Sequence, residues 1–406
     1  MYCLLDVNNM LIRQKYLERI KPFMGKKLIK VLTGQRRVGK SVLLQTIAHM
    51  ISVEKQETQI LFIDMEQYSF DFIKNYQDLM NYITTEKKKD SVALFIDEVQ
   101  NVAGFEKALR SLYSDPHFDI YISGSNANLL SSELGTLLSG RYIEIEVFPL
   151  IYNEYLELYN TKDSEQNFNI YLQFGGLPGL AELPDIVAIK KEYLRNIYTS
   201  ILFRDVVKRN QIRNISFLEN LIRFSADNIG SLVSATKIST YLKSQNLNIS
   251  TNAVIEYLDF MCNAFIVKKV KRYDVIGKKL FEIGEKYYYN DLGIRNIITG
   301  FKISEIQKYL ENIVFNHLVA NQYNVKIGQV GSHEIDFIAE KNNEKKYIQV
   351  CYLLENEATI EREFGNLKKI KDNYEKFVVS ADAIKFSNTI EGIKHITIRD
   401  FLLNFS

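Results

Sequence analysis

The feature that most constrains this chain is a glycine-rich loop in the stretch LTGQRRVGKSVLLQTIAHM, residues 32–50. Gly34 is followed, after four residues, by Gly39, Lys40 and Ser41, which is the G-x-x-x-x-G-K-[ST] pattern. An apolar run precedes the loop and a helix-forming run follows it. In that context backbone N–H groups and a helix N-terminus converge on one point, and this arrangement favours a bound phosphate.

Each residue type of the loop has its own expected role in nucleotide binding. The two glycines allow a tight backbone path, Lys40 is predicted to reach the β- and γ-phosphates of ATP, and Ser41 is predicted to bind Mg²⁺. The remaining predicted nucleotide-binding residues of the segment are Gln35, Arg36, Arg37, Val38 and Val42. The alternative is a chance match in a glycine loop, and the flanking strand and helix argue against it.

A second acidic element follows a buried apolar run in SVALFIDEVQ. Asp97 is predicted to hold Mg²⁺ through water, and Glu98 is predicted to act as the general base toward the attacking water. Two adjacent acids after a buried strand are costly unless a cation neutralises them. The alternative, a solvated strand end, does not explain their pairing with the loop.

Polar candidates follow the next strand. In YISGSNANLL, Ser125 and Asn126 are placed to contact the γ-phosphate or the attacking water, and the sequence does not choose between them. Arg141, in LLSGRY, is the best candidate to stabilise charge on the transferred phosphoryl group, in its own subunit or toward a neighbouring one. A surface salt bridge is the alternative for Arg141. Arg36 and Arg37 are further candidates for the same role.

The first 150 residues alternate strand-like and helical runs, which predicts an α/β three-layer sandwich around a parallel sheet, the P-loop NTPase arrangement. The predicted strands are 28–33, 59–64, 92–97, 119–123 and 142–147, and the predicted helices lie near 40–51, 72–85, 104–113 and 127–138.

The composition limits the class of protein to which this chain can belong. A length of 406 residues exceeds one ordinary core, and 46% apolar with 25% charged residues is typical of a soluble globular protein. The net charge of +2 gives no global attraction to nucleic acid. Cys3, Cys262 and Cys351 form no C-x-x-C pair, and no apolar run is long enough to span a bilayer. A cytoplasmic protein is expected.

Several motifs together resemble a known family. LTGQRRVGKS, LFIDEVQ, ISGSNA and LSGRY are similar to the AAA-class ATPases of bacteria and archaea that carry a C-terminal domain of unknown function. The later YLQFGGLPG, ILFRDVV and YYYNDLGIRN resemble the same family, so the likeness covers nearly the whole chain. The resemblance implies binding and hydrolysis of ATP, followed by a winged-helix domain and a restriction-nuclease-like domain.

The expected domains are an ATPase domain over 1–150, a helical linker over 151–215, a winged helix over 216–298 and an α/β restriction-endonuclease-like domain over 299–406. Within the linker, FGGLPG at 174–179 is predicted to be a structural turn. The winged helix is predicted from helices near 216–228, 235–245 and 251–262 and from strands in AFIVKKVKRYDV and EKYYYND.

The predicted wing is basic, with seven cations against three acids over 268–286, a net of +4. A basic wing favours contact with double-stranded DNA phosphates, whereas packing against the nucleotide domain is the alternative. The cations assigned to DNA contact are Lys268, Lys269, Lys271, Arg272, Lys278 and Lys279.

The last part, 299–406, is predicted as helix 304–322, strands 324–330, 334–340 and 345–352, helix 358–373, strand 376–380 and a terminal strand and helix. This order resembles the PD-(D/E)xK nucleases, which hold Mg²⁺ with acids and use a lysine beside the nucleophile. The matching residues are Glu311, Asp336 and Gln349. Cys351 stands at the lysine position, so the resemblance implies a damaged site.

The leading hypothesis is an ATPase whose nucleotide state is coupled to the winged helix and to a nuclease-like domain without activity. One alternative is a nucleotide-gated switch that binds an unknown protein partner and turns over little ATP. The other is an ATP-regulated nuclease. The sequence leaves open whether the chain works as a monomer or assembles into a ring.

Overall fold

The computed structural model describes residues 13–127, 138–244, 247–382 and 389–405. The chain forms two compact units, Met1–Phe148 with Asn263–Phe265, and Pro149–Cys262 with Ile266–Ser406. None of the helices in these described ranges combines the length and apolarity that a bilayer crossing requires.

The first unit is built on five parallel strands, in the spatial order β2-β3-β4-β1-β5. Their bounds are β1 Ile29–Thr33, β2 Gln59–Asp64, β3 Val92–Asp97, β4 Phe118–Gly124 and β5 Tyr142–Glu146. Every residue of β1 and β3 is buried, as expected for parallel strands covered on both faces. All five predicted strands are confirmed to within a residue at each end.

The described helices of this unit are α1 Gln14–Ile20, α2 Lys40–Glu54, α3 Tyr76–Glu86 and α4 Phe105–Ser114. The predicted start of α3 at 72 was wrong, because Asn75 caps the helix. The Asn75 side chain accepts hydrogen bonds from the backbone N–H groups of Gln77 and Asp78, and the Asp78 carboxylate accepts the N–H of Asn75 in return. The predicted helix 127–138 lies largely outside the described residues.

The second unit begins with helices. They are α5 Tyr152–Leu158, α6 Glu165–Phe174, α7 Val187–Ser200, α8 Ile215–Asp227, α9 Ala235–Ser244, α10 Thr251–Asn263 and α11 Leu292–Thr299. The segment ILFRDVV, predicted as helical, continues α7 as a π-helix over Ile201–Lys208. The three helices expected for a winged helix are present as α8 to α10, whereas α11 was not predicted.

An eight-stranded sheet completes the second unit, in the order β12-β13-β11-β10-β9-β8-β6-β7. Its strands are β6 Val267–Asp274, β7 Lys279–Tyr289, β8 Asn324–Val330, β9 His333–Lys341, β10 Glu344–Cys351, β11 Glu375–Ser380, β12 Thr389–Ile390 and β13 Ile393–Thr397. The helices that accompany it are α12 Ile306–Ala320, α13 Glu357–Lys368 and α14 Ile398–Asn404.

This sheet combines strands from two regions that the sequence analysis assigned to separate domains, 216–298 and 299–406. β8, β9 and β10 are antiparallel neighbours and β11 pairs in parallel with β10, so the elements follow the predicted helix–three strands–helix–strand order. β6 pairs in parallel with β8. The hairpin of the predicted wing and the strands of the predicted nuclease-like part therefore share one sheet.

The FGGLPG motif contacts the YYYNDLG motif. The Gly176 amide donates to the Asp291 carboxylate over 2.8 Å, and the other carboxylate oxygen caps α11 by accepting from the Ile294 amide over 3.0 Å. The Gly176 carbonyl in turn accepts from the Leu150 amide over 2.7 Å. These motifs are a packing junction, which agrees with the prediction that FGGLPG is a structural turn.

Replacing Gly176 with alanine is expected to lower the free energy of unfolding by about 1–3 kcal/mol, because the added Cβ would lie 2.1 Å from the Leu150 carbonyl oxygen. Urea unfolding of the full chain measures this change. Gly365→Ala is the control, since its Cβ would meet only the end of the Glu361 side chain, on α13, and should leave stability unchanged or raise it. Equal effects of the two substitutions would contradict the junction.

Candidate active site

The glycine-rich loop connects β1 directly to α2, as predicted. Gly34 and Gly39 have φ of 140° and 96°, and Arg37 also has a positive φ of 70°. A Cβ at Gly34 would lie 2.2 Å from the Val147 carbonyl oxygen, so no side chain fits there. The loop thus requires both glycines, and it ends where Lys40 opens α2.

Lys40 lies at the centre of the site and is 4% exposed. Its Nζ donates to the carbonyl oxygens of Gly34 and Gln35, each at 3.0 Å, and lies 3.7 Å from Glu98 Oε1. The residue that precedes α1 braces the loop, because the Arg13 guanidinium donates to the Val38 carbonyl over 3.1 Å. No sequence motif marks Arg13, and the sequence analysis missed it.

Asp97 ends β3 at the same carboxyl edge of the sheet, and Glu98 follows it with a positive φ of 52°. The neighbouring strand β4 lies between β1 and β3, and its Ser123 hydroxyl donates to Asp97 and accepts from the Glu98 amide. Burial raises the pKa of Asp97 to about 6, although hydrogen bonds from Ser123 and Ser41 act in the opposite direction. Ser123 therefore belongs to the site, and the sequence analysis missed it.

The Glu98 carboxylate is in a different electrostatic environment from its neighbour. Burial acts to raise its pKa, but the charges of Lys40 and Arg36 and hydrogen bonds from Gln100 and Ser125 outweigh burial and lower it. The Ser125 hydroxyl donates to Glu98 Oε2 over 3.0 Å, and the Gln100 amide donates to the same oxygen. The pKa values of the two adjacent acids are thus shifted in opposite directions. Such a difference is common where two acids of one site have different catalytic roles.

The other residues predicted for the nucleotide site differ in burial and in their hydrogen-bond partners. Ser125 and Asn126 are both buried directly beyond β4, 1% and 4% exposed. Arg36 is turned to Glu66, donating to its carboxylate over 2.7 Å, and Arg37 is exposed. Gln100 and Glu66 were missed by the sequence analysis. Their only sequence signal is that each closely follows the end of a strand of the same sheet.

Arg141 lies at the opposite edge of the sheet. It directly precedes β5, and the parallel register pairs Tyr142 with Ile29 at the start of β1, whereas the loop follows the last residue of β1. Four residues of strand separate the two edges, about 13 Å. The Arg141 guanidinium packs 5.3 Å from the Tyr113 ring centroid. This placement excludes action on the loop of the same chain, and a role toward a neighbouring subunit stays a prediction.

The predicted nuclease-like residues meet around an unpredicted lysine. The Asp336 amide donates to Gln349 Oε1 over 3.3 Å, and Glu311 accepts from Lys286 Nζ over 2.8 Å. Over the described residues, no group of three or more His, Cys, Asp or Glu is arranged to hold a metal ion. The expected Mg²⁺ site at Glu311, Asp336 and Gln349 combines two acids with an amide and stays a prediction. Cys351 is buried in an apolar cluster.

The cations of the predicted basic wing differ in exposure, and at least two of them have partners within the protein. Lys271, Lys278 and Lys279 are exposed. Lys269 lies 3.2 Å from the Asp259 carboxylate and also faces Glu285, and Arg272 donates to the Gln329 side chain. Lys286, which was counted in the charge of the wing, is buried. The surface charge of the wing is thus smaller than its sequence indicates.

Comparison with known proteins agrees with the site at the glycine-rich loop. Residues 26–156 match a family model described as an AAA domain, and residues 165–305 match one described as a domain of unknown function, DUF8612. The chain is 36% identical over 402 residues to an uncharacterised protein of Haemophilus influenzae, covering 97% of this chain and 99% of the relative. The chain belongs to the family of that relative. It is an AAA-domain protein.

A second relative of this AAA-domain protein is the uncharacterised protein MJ1544 of Methanocaldococcus jannaschii, 30% identical over 394 residues, covering 92% of this chain and 85% of the relative. Among solved structures, an Aeropyrum pernix ORC1 protein in complex with DNA aligns with a TM-score of 0.35 and 10% identity, covering 73% of this chain and 95% of that chain. AMPPCP-bound DnaA from Aquifex aeolicus aligns with a TM-score of 0.34 and 14% identity, covering 64% and 92%. Scores this low support no inference about function.

The raised pKa of Asp97 has a consequence for the nucleotide-free protein. Because the folded state holds this proton more tightly than an unfolded carboxyl of pKa 3.8, stability falls as pH rises from about 4 through about 6. Asp97→Asn removes the charge and keeps an acceptor for Ser123. The variant is expected to exceed the wild type by about 2–3 kcal/mol in unfolding free energy at pH 8.

The measurement is urea unfolding of the nucleotide-free chain at pH 5 and pH 8, and the advantage of Asp97→Asn should shrink at the lower pH. Asp90→Asn removes an exposed carboxylate and serves as the control that should show no such difference. A variant no more stable than the wild type at pH 8 would show that Asp97 is not destabilised by burial.

Proposed function

We propose that this AAA-domain protein binds ATP with Mg²⁺ and hydrolyses it at the carboxyl edge of its first sheet. The observation that carries the proposal is the pairing of Lys40 and Glu98, whose charged atoms lie 3.7 Å apart beside the Asp97 carboxyl. The buried Lys40 ammonium faces both acids at the end of a glycine-rich loop, which is an arrangement suited to polyphosphate with a divalent cation.

The residues present fit both groups. Lys40 donates two hydrogen bonds to carbonyls of its own loop, and these donors are suited to phosphate oxygens instead. The Ser41 hydroxyl is hydrogen bonded to the Asp97 carboxylate, and oxygen donors of this kind suit Mg²⁺. When bound, Mg²⁺ supplies positive charge at the β- and γ-phosphates.

Glu98 is the proposed general base. Its lowered pKa keeps the carboxylate ionised at neutral pH, so that it accepts a proton from a water directed at the γ-phosphate. Ser125 and Gln100 both donate to Oε2 and so orient the carboxylate. Ser125 and Asn126 are the proposed contacts to the γ-phosphate, because both are buried directly after β4.

The proposal also includes coupling of nucleotide state to the second unit, with double-stranded DNA as the effector. Support for DNA comes from the exposed lysines of the wing hairpin, Lys271, Lys278 and Lys279. A single-lysine change in the wing should weaken DNA contact without altering the site at the loop.

Glu98→Gln is expected to lower steady-state ATP hydrolysis by at least about 100-fold, because amide nitrogen and oxygen cannot accept the proton. Glu57→Gln, which removes an exposed carboxylate after α2, should retain full activity. Glu98→Gln should still bind ATP, as measured with a fluorescent ATP analogue. Hydrolysis at the wild-type rate by Glu98→Gln would refute the assignment of the base.

The same assay with and without double-stranded DNA tests the coupling. Stimulation by DNA that falls with Lys278→Ala supports the wing as a contact surface. Wild-type hydrolysis near the background rate in every condition would contradict turnover and leave a nucleotide-gated switch.

The placement of Arg141 predicts a dependence on subunit contact. Arg141→Ala should lower hydrolysis at least about tenfold, because the arginine serves the loop of a neighbouring chain. Mixing Arg141→Ala with Glu98→Gln should restore activity, since one chain keeps an intact site and the other supplies its arginine. Mixing Glu98→Gln with Lys40→Ala, in which both sites are damaged, is the control. No recovery in the first mixture would remove Arg141 from the mechanism.

A further inference from the structure

A buried lysine of β7 lies among carboxylates of α12 and β9. Lys286 is 3% exposed, and its Nζ lies 2.8 Å from Glu311 Oε1 and 2.7 Å from Glu334 Oε1. Asp336 follows Glu334 by two residues on β9 and is 7% exposed. The charge of Asp336 acts on Lys286 together with those of Glu311 and Glu334, so three carboxyl groups surround one ammonium.

The hydrogen bonds around the cluster hold it in one arrangement. The Tyr288 hydroxyl, two residues beyond Lys286 on β7, donates to the same Glu311 oxygen over 2.5 Å. The Asp336 carboxylate accepts from the Val350 amide over 2.8 Å, and Gln349 accepts from the Asp336 amide. The donors come from β7 and β10 and the acids from α12 and β9, so the ammonium completes a junction of four elements.

Charge explains why a cation is required at this point. Burial acts to lower the pKa of Lys286, but the carboxyl groups of Glu311, Asp336 and Glu334 reverse this effect and raise it, so the ammonium stays charged. Burial raises the pKa of Asp336, and Glu311 raises it further. Carboxyl groups this close need a positive charge or a bound proton among them.

The turn that follows α8 covers one side of the cluster, at Glu311. Gly230, just after α8, has a φ of 68°, and its amide donates to the Tyr287 carbonyl over 3.3 Å. A Cβ on Gly230 would lie 3.1 Å from Glu311 Oε1. The backbone of this turn therefore lies against the Glu311 carboxylate. Glu334, with a side chain 37% exposed, is the most open member of the cluster.

We propose that the Lys286 ammonium occupies the position of a divalent cation among Glu311, Glu334 and Asp336. The wild-type chain then takes up no divalent metal there. Removal of the ammonium leaves only oxygen ligands, from carboxylates and from the Gln349 side chain, a set that suits Mg²⁺ or Mn²⁺. This inference concerns the second unit and does not depend on hydrolysis of ATP.

The test is binding of Mn²⁺ to the nucleotide-free full chain at pH 8, followed by the electron paramagnetic resonance signal of free Mn²⁺. The variants are Asp336→Asn, Lys286→Met and the double variant that combines them. The control is Lys191→Met, which removes an exposed lysine of α7. All five proteins share the same loop site, so only differences between them report on the cluster.

The expected result is equal Mn²⁺ binding by the wild type, Asp336→Asn and Lys191→Met. Lys286→Met should bind one additional Mn²⁺ per chain, at least tenfold more tightly than the wild type, and the double variant should lose it. An additional wild-type Mn²⁺ that disappears in Asp336→Asn would overturn the proposal, as would a folded Lys286→Met that gains none. If Lys286→Met does not fold, the wild type and Asp336→Asn still decide, because any difference between them contradicts occupation by the ammonium.

Discussion

Neutralisation of carboxyl groups buried at the end of a strand is the constraint on which the candidate site depends. Asp97 and Glu98 close β3 with 2% and 6% exposure, and Lys40 is the cation within 3.7 Å of Glu98. One ammonium cannot compensate two carboxylates, so Glu98 keeps its charge and burial raises the pKa of Asp97. The nucleotide-free site is therefore short of positive charge, which the Mg²⁺ of the proposed function would supply.

In the second unit, buried carboxyl groups are neutralised by a lysine side chain of the protein itself. Lys286 lies against Glu311 and Glu334 at 2.8 and 2.7 Å, and Asp336 is close by. A tethered ammonium leaves no position for exchange with solvent, whereas the loop around Lys40 ends at a helix N-terminus suited to a ligand. The two acidic clusters thus have opposite consequences: one favours a bound ligand and the other favours fixed packing of α12 against β7.

The FGGLPG and YYYNDLGIRN motifs in the middle of the chain have packing roles. Asp291 bonds both the Gly176 amide and the first turn of α11. Arg295, which is fully buried, donates to the Ala226 carbonyl, the Tyr309 hydroxyl and the Glu305 carboxylate. A buried guanidinium with all these partners stabilises one arrangement of helices. The family-like residues of this region therefore mark a structural junction.

The sequence by itself determined the parts of this protein whose residues are contiguous. The loop from Gly34 to Ser41 and the acids after β3 are readable because a strand, a turn and a helix follow one another along the chain, and periodicity placed the strands to within a residue or two. Only the tertiary structure decided which distant residues meet. It brought Ser123 against Asp97 and Glu98, placed Arg141 at the far edge of the sheet, and buried Lys286 among acids. Strand order and register set these contacts, and neither is written in a local pattern of residues.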